Sequence, residues 1–142
     1  MANGRWFSFF HSEEALRVIL DQEIRLAIRY SHYLSLVVVQ LKGFDEHDHL
    51  LSAVDTVHEG LRETDHRGTL QGNKVAVILR TAEGDHLLDI ISRISPIIRD
   101  HPICAGQAPC LYQLEIGGAC FPHDGVTPDD LFRVAEENCR TL

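Results

Sequence analysis

Residues able to do chemistry fall in a few short stretches of this 142-residue chain. Asp45-Glu46-His47-Asp48-His49 offers the oxygen and imidazole donors a metal ion takes. No distant ligand set joins it, so a solvated loop that opens a helix, with an Asp as N-cap, is the simpler reading. Arg62 and Asp65 stand three apart, a spacing that on a helix end gives an ion pair of a few tenths of a kcal/mol and by itself says nothing of function. What distinguishes them is the sequel: after five residues comes Gln71-Gly72-Asn73-Lys74-Val75, with a tight-turn signal at its centre. His58 lies on an apolar helical face and reads as a core-edge histidine. Cys104, Cys110, Cys120 and Cys139 show no C-x-x-C spacing and read as buried thiols rather than a disulfide framework. No Ser-His-Asp, Cys-His or P-loop pattern occurs.

The elements that must position these residues follow from periodicity. From Ser12 to about Tyr30, Leu16, Ile19, Leu20, Ile24, Ala27 and Ile28 recur at helical spacing behind a Ser cap with Glu13 and Glu14 in the first turn. Leu34 to Leu41 is an apolar, Val-rich run of strand length, expected to be central in a sheet and buried on both faces. Leu50, Val54, Val57, His58 and Leu61 mark a second helix. Strands from about Gly68 and through Val75 to Leu79 should form a hairpin about Gln71-Gly72-Asn73. Leu87, Ile90, Ile91, Ile94 and Ile98 predict a third helix, with Pro96 kinking it or ending it near Ser95. Leu111 to Phe121 gives a further strand or strand pair, and Thr127-Pro128-Asp129-Asp130 is a strong helix start. The alternation specifies one α/β domain over 12–142, preceded by an apolar N-terminal segment, 1–11.

Composition sets limits. Thirteen Lys and Arg against 21 Asp and Glu give a net charge of −8, which disfavours nucleic acid and anionic lipid as partners and requires a local basic pocket for any small anionic ligand. No apolar run approaches the roughly 18 residues of a membrane helix. Trp6-Phe7-Ser8-Phe9-Phe10 is too short for a signal-peptide core and lacks a cleavage site after it, so a cytoplasmic protein is expected.

In order along the chain, these pieces resemble the GGDEF domains of bacterial diguanylate cyclases. Glu23 to Tyr30 is similar to the family's Glu-Ile-x-Arg-Ala-x-Arg-Tyr helix end, Leu34 to Val39 to its first strand, and Ala76 to Leu79 to the strand after its signature. Ile116 to Gly125 is similar to the family's Ser-Ile-Gly-x-Ala segment, and Leu131 to Glu136 to its last helix. The resemblance implies an α/β nucleotide-cyclase-like sandwich, a central, mostly antiparallel sheet flanked by helices. It also identifies Gln71, Gly72, Asn73, Lys74 and Val75 as a degenerate form of the signature.

What the resemblance implies for function is loss at one site and retention at another. Family cyclases hold two divalent ions through an Asp at the end of the first strand and an acid in the signature, because polarising a triphosphate needs hard oxygen ligands. Gln40 and Asn73 occupy those positions, Lys42 replaces a further Asp, and Lys74 replaces the signature Glu. The Phe44 to Arg62 stretch is shorter than in cyclases, where it carries guanine-recognising residues. No diguanylate cyclase activity, no metal site and no cofactor are therefore expected. Arg62, Asp65 and Arg93, by contrast, match the family's inhibitory cyclic di-GMP site. A guanidinium fork can bond guanine or clamp phosphate, and a carboxylate can accept from guanine N–H groups. The implied role is a cyclic di-GMP receptor or regulatory module in signal transduction. The alternative is a protein-interaction module without nucleotide binding, using the hairpin tip and the segment from Trp6 to Phe10. A protein partner and a homodimer both stay open.

Overall fold

The computed structural model describes residues 11–42, 66–72, 74–80, 88–89, 91–92 and 113–141, with backbone alone at 41, 42, 113, 114 and 141. The first helix, α1 (Glu13–Tyr30), begins where Ser12 accepts from the Ala15 N–H at 3.2 Å. Glu13 and Glu14 sit in its first turn, where carboxylates oppose the positive end of the helix dipole. It ends at Ser31, whose left-handed conformation (φ 57°, ψ 44°) lets its N–H return to the Ala27 carbonyl and satisfy an otherwise unpaired helical acceptor.

Strands β1 (Leu34–Lys42), β2 (His66–Leu70), β3 (Lys74–Arg80), β4 (Gln113–Phe121) and β5 (Arg140–Thr141) form one sheet in the order β2-β3-β1-β4-β5. Every pairing between them is antiparallel. β1 is central, as its Val-rich run predicts, with Leu34 opposite Arg80 on β3 and Phe121 on β4. Its even-numbered residues Leu34, Leu36 and Val38 join Ala76, Ile78, Ala119 and Phe121 in a core closed by Leu16, Leu20, Ile24 and Ala27 of α1. Val37, Val39, Val75, Val77 and Ile116, which face the other way, are buried as well. Burial on both faces is why the run does not alternate with polar residues.

The second helix, α2 (Pro128–Glu137), starts as its sequence requires: Thr127 accepts from the Asp130 N–H at 3.2 Å and Pro128 occupies the first turn. Leu131, Phe132 and Ala135 are its buried side chains. It lies so near β4 that a Cβ on Gly117 would stand 2.5 Å from the Cys139 nitrogen and 2.7 Å from the Asn138 carbonyl carbon. Asn138 caps the approach by donating its side-chain amide to the Gly118 carbonyl at 3.0 Å. Arg17 ties the helices together, with its Nη1 2.7 Å from Asp129 Oδ1 and its guanidinium 4.4 Å from the Phe132 ring centroid.

β2 and β3 form the expected hairpin, with Leu70 opposite Lys74 and Gly72 in its turn at φ 82°. β2 starts at His66, two residues earlier than the apolar pattern suggests. The difference arises because His66 and Arg67 are polar residues that pair with Ile78 and Val77. His11 adds a parallel bridge along the outer edge of β2: its N–H donates to the Arg67 carbonyl, and its carbonyl accepts from Thr69, both at 2.9 Å. β4 is a single strand, and β5 lies beyond what sequence reading anticipated. Leu88, Asp89, Ile91 and Ser92 are helical, in keeping with the third predicted helix, while the second, from Leu50 to Leu61, lies outside the described residues. Among the described residues, no helix is long and apolar enough to cross a membrane.

Candidate functional site

Strand register assembles a polar row at the end of β1. Gln40 stands directly opposite Lys74 on β3 and Glu115 on β4. Directly opposed residues share a face of the sheet, with Cβ atoms about 5 Å apart. That face is the one under the helices, because Val38, Ala76 and Ala119, an even number of residues away on their strands, belong to the core beneath α1 and α2. α2 adds a second carboxylate, and Lys74 Nζ lies 3.3 Å from Glu136 Oε1. The row therefore combines a neutral amide, an ammonium and two carboxylates. An ammonium so close to Glu136 already neutralises it and repels an incoming divalent ion.

A second polar cluster lies at the opposite end of the sheet. Glu23, on the buried side of α1 with its side chain 6% exposed, takes a bidentate fork from Arg80: Nη2 to Oε1 at 2.6 Å and Nε to Oε2 at 2.8 Å. His66 Nε2 lies 3.5 Å from the same Oε1. Burial pushes the Glu23 carboxyl up, but the Arg80 fork, helped by His66, outweighs it and holds the group below its ordinary value. Sequence reading missed this cluster. Glu23 occupies a core position in the helical period, and a charge there was the available signal. Its role is to pin α1 to β2 and β3.

The residues expected to bind ligand, Arg62, Asp65 and Arg93, lie outside the described residues, as does Asn73. Asp45 to His49, His58, Cys104 and Cys110 lie outside them too. Asp65 immediately precedes the first residue of β2 in sequence. Of the other residues in the 71–75 stretch, Gln71 donates its N–H to Glu13 Oε1 at 3.2 Å, Gly72 makes the turn, Lys74 joins the polar row, and Val75 is fully buried. Cys120 is buried beside Ser35, with Sγ 3.4 Å from Oγ. Burial raises its thiol pKa; the Ser35 hydrogen bond opposes this and the Asp124 carboxylate adds to it. A thiol held protonated is a poor nucleophile.

No protein-family model and no curated protein matches the sequence. Solved structures do match it. The GGDEF domain of YfiN (TpbB) from Pseudomonas aeruginosa gives a TM-score of 0.76 at 22% identity, covering 90% of this chain and 86% of that one. A DGC protein from Thermotoga maritima gives 0.76 at 15% identity, covering 92% of this chain and 96% of that one. The GGDEF domain of DgcB from Caulobacter crescentus, solved in complex with c-di-GMP, gives 0.70 at 12% identity, covering 90% and 82%. The chain has the GGDEF-domain fold.

Proposed function

We propose that this chain, folded as a GGDEF domain, is catalytically inactive and acts as a cyclic di-GMP receptor in bacterial signal transduction through Arg62, Asp65 and Arg93. The observation that carries the inactive half is the polar row: Gln40 brings a neutral amide to the end of β1, and Lys74 brings an ammonium to within 3.3 Å of Glu136. A site that activates a triphosphate through divalent ions needs anionic oxygen ligands, and here the β1 position supplies an amide and the β3 position an ammonium already paired with Glu136. The receptor half is supported by the spacing of Arg62 and Asp65 ahead of the hairpin and by the likeness to a GGDEF domain solved with c-di-GMP bound. The two guanidinium groups supply local positive potential that an overall charge of −8 does not otherwise offer an anionic ligand. A cytoplasmic location belongs to the same proposal, since a cyclic di-GMP receptor must meet a nucleotide made from intracellular GTP.

Isothermal titration calorimetry with cyclic di-GMP, GTP and GMP tests the receptor reading. Wild type should bind cyclic di-GMP in preference to the other two, and Arg62→Ala should bind it roughly 10-fold or more weakly, since one charge-assisted contact contributes about 1.5–3 kcal/mol. No heat with wild type at high ligand, or equal affinity in both proteins, would replace this reading with the protein-interaction module.

A further inference from the structure

The outward side of α1 carries a stripe that is complementary to itself. Val18, Asp21, Arg25 and Ile28 fall within an arc of about 80° at 100° per residue, its centre about 135° round the helix from the middle of the side that buries Leu16, Leu20, Glu23, Ile24 and Ala27. Val18 is 58% exposed and Ile28 64%, while the Arg25 and Asp21 side chains are 78% and 47% exposed. The stripe is symmetric about the level of Glu23: Asp21 and Arg25 lie two residues to either side of it, and Val18 and Ile28 lie five.

We propose that this stripe is a homodimer interface in which α1 packs antiparallel against α1 of a second copy, about a two-fold axis level with Glu23. In that arrangement Val18 meets Ile28 of the second copy, Asp21 meets its Arg25, and each contact occurs twice, as an isologous interface requires. The exposed Asp21–Arg25 pair within each helix, at 3.2 Å, becomes half of a four-charge network. The register is specified by what the alternatives cost. Sliding the helices so that residue numbers across the interface sum four lower sets Asp21 against Asp21, sliding them four higher sets Arg25 against Arg25, and parallel packing does both. A near-antiparallel crossing of about 20° keeps all four positions in contact along the helix. One helix face per copy is small beside the roughly 1,200 Å² of a stable interface, so the dimer is weak, with a dissociation constant on the order of 10⁻⁴ M.

Sedimentation equilibrium on the nucleotide-free chain over roughly 10 µM to 1 mM tests this apart from any cyclic di-GMP binding. Wild type should self-associate. Asp21→Arg and Arg25→Asp, each at exposed positions and each placing like charges together twice, should associate about 10-fold more weakly. The double swap Asp21→Arg/Arg25→Asp should restore association. So should an equimolar mixture of the two single variants, because the all-basic helix then faces the all-acidic one. Val18→Ser/Ile28→Ser, which leaves the charges in place, should also weaken it, and circular dichroism should confirm that each variant is folded. A wild type that stays monomeric across the range, single variants that associate as wild type does, or a mixture that stays monomeric would each overturn the proposal.

Discussion

Lys74 Nζ lies 3.3 Å from Glu136 Oε1, so the first residue of β3 is tied to the last turn of α2. The ammonium is thus held in place rather than left on a mobile side chain. Its partner is a carboxylate that a metal ion could otherwise recruit. Lys74 and Glu136 are 24% and 42% exposed, and a pair at that exposure contributes about 0.2–1 kcal/mol to stability. The larger consequence is electrostatic.

Purified protein incubated with GTP and Mg²⁺ or Mn²⁺ should form no cyclic di-GMP. Gln40→Asp alone should remain silent, because Lys74 still stands directly across from Gln40 in the strand register. Product detection by chromatography checks both, and clear turnover by the wild-type chain that an active-site substitution abolishes would sink the inactive reading.

Gly117→Ala should destabilise the fold by about 3 kcal/mol or more, because overpacking against backbone cannot be relieved by a rotamer change. The new methyl would stand 2.5 Å from the Cys139 nitrogen and closer still to the Ala135 carbonyl oxygen. Urea unfolding should give a much lower midpoint than for wild type. A change under about 1 kcal/mol would show that α2 can lift away from β4 at little cost.

How much of this was legible in the sequence depends on how local the cause is. The Ser12 and Thr127 caps, the helical periods of α1 and α2 and the Val-rich β1 are set by neighbours a few residues away, and each stands where its pattern puts it. The polar start of β2 was less visible, because His66 and Arg67 are drawn into the sheet by long-range pairing with β3. β5 is two residues long and carries no period to read. The bidentate contact between Glu23 and Arg80, 57 residues apart, becomes apparent only once α1 lies on the sheet. At the candidate site, Gln40 and Lys74 were singled out through resemblance, whereas the Glu115 and Glu136 carboxylates around them required the folded arrangement.

Gly72→Val should cost about 1–2 kcal/mol, since a β-branched side chain is disfavoured at a φ of 82°. A Cβ there would meet nothing within 4 Å, so the penalty is conformational rather than steric. Gly72→Asn should cost much less, because Asn tolerates left-handed backbone. Thermal unfolding of both variants checks the order, and equal losses would argue against conformational strain as the cause.

Glu23 should give the domain a specific acid sensitivity. Its folded-state pKa lies below the ordinary 4.5 because the Arg80 fork outweighs burial. The unfolded chain therefore takes up a proton at this group at a higher pH than the folded one, and the stability it supplies is fully present above pH 4.5 and is lost as pH falls through the folded value. Glu23 is one of 21 acidic residues, so the wild-type profile alone does not isolate it. The comparison that does is with Glu23→Gln, which keeps the shape and removes the charge. Wild type should be more stable by about 1–2 kcal/mol at pH 7, the low end for a charge-assisted pair because Arg80 is 39% exposed. That gap should narrow steadily as the pH is lowered from 5 toward 3 in roughly half-unit steps of urea denaturation. A gap that stays constant would mean that folding does not shift the Glu23 carboxyl at all, and one that widens in acid would mean that the folded carboxyl lies above its ordinary value, its contacts with Arg80 being those of a neutral acid.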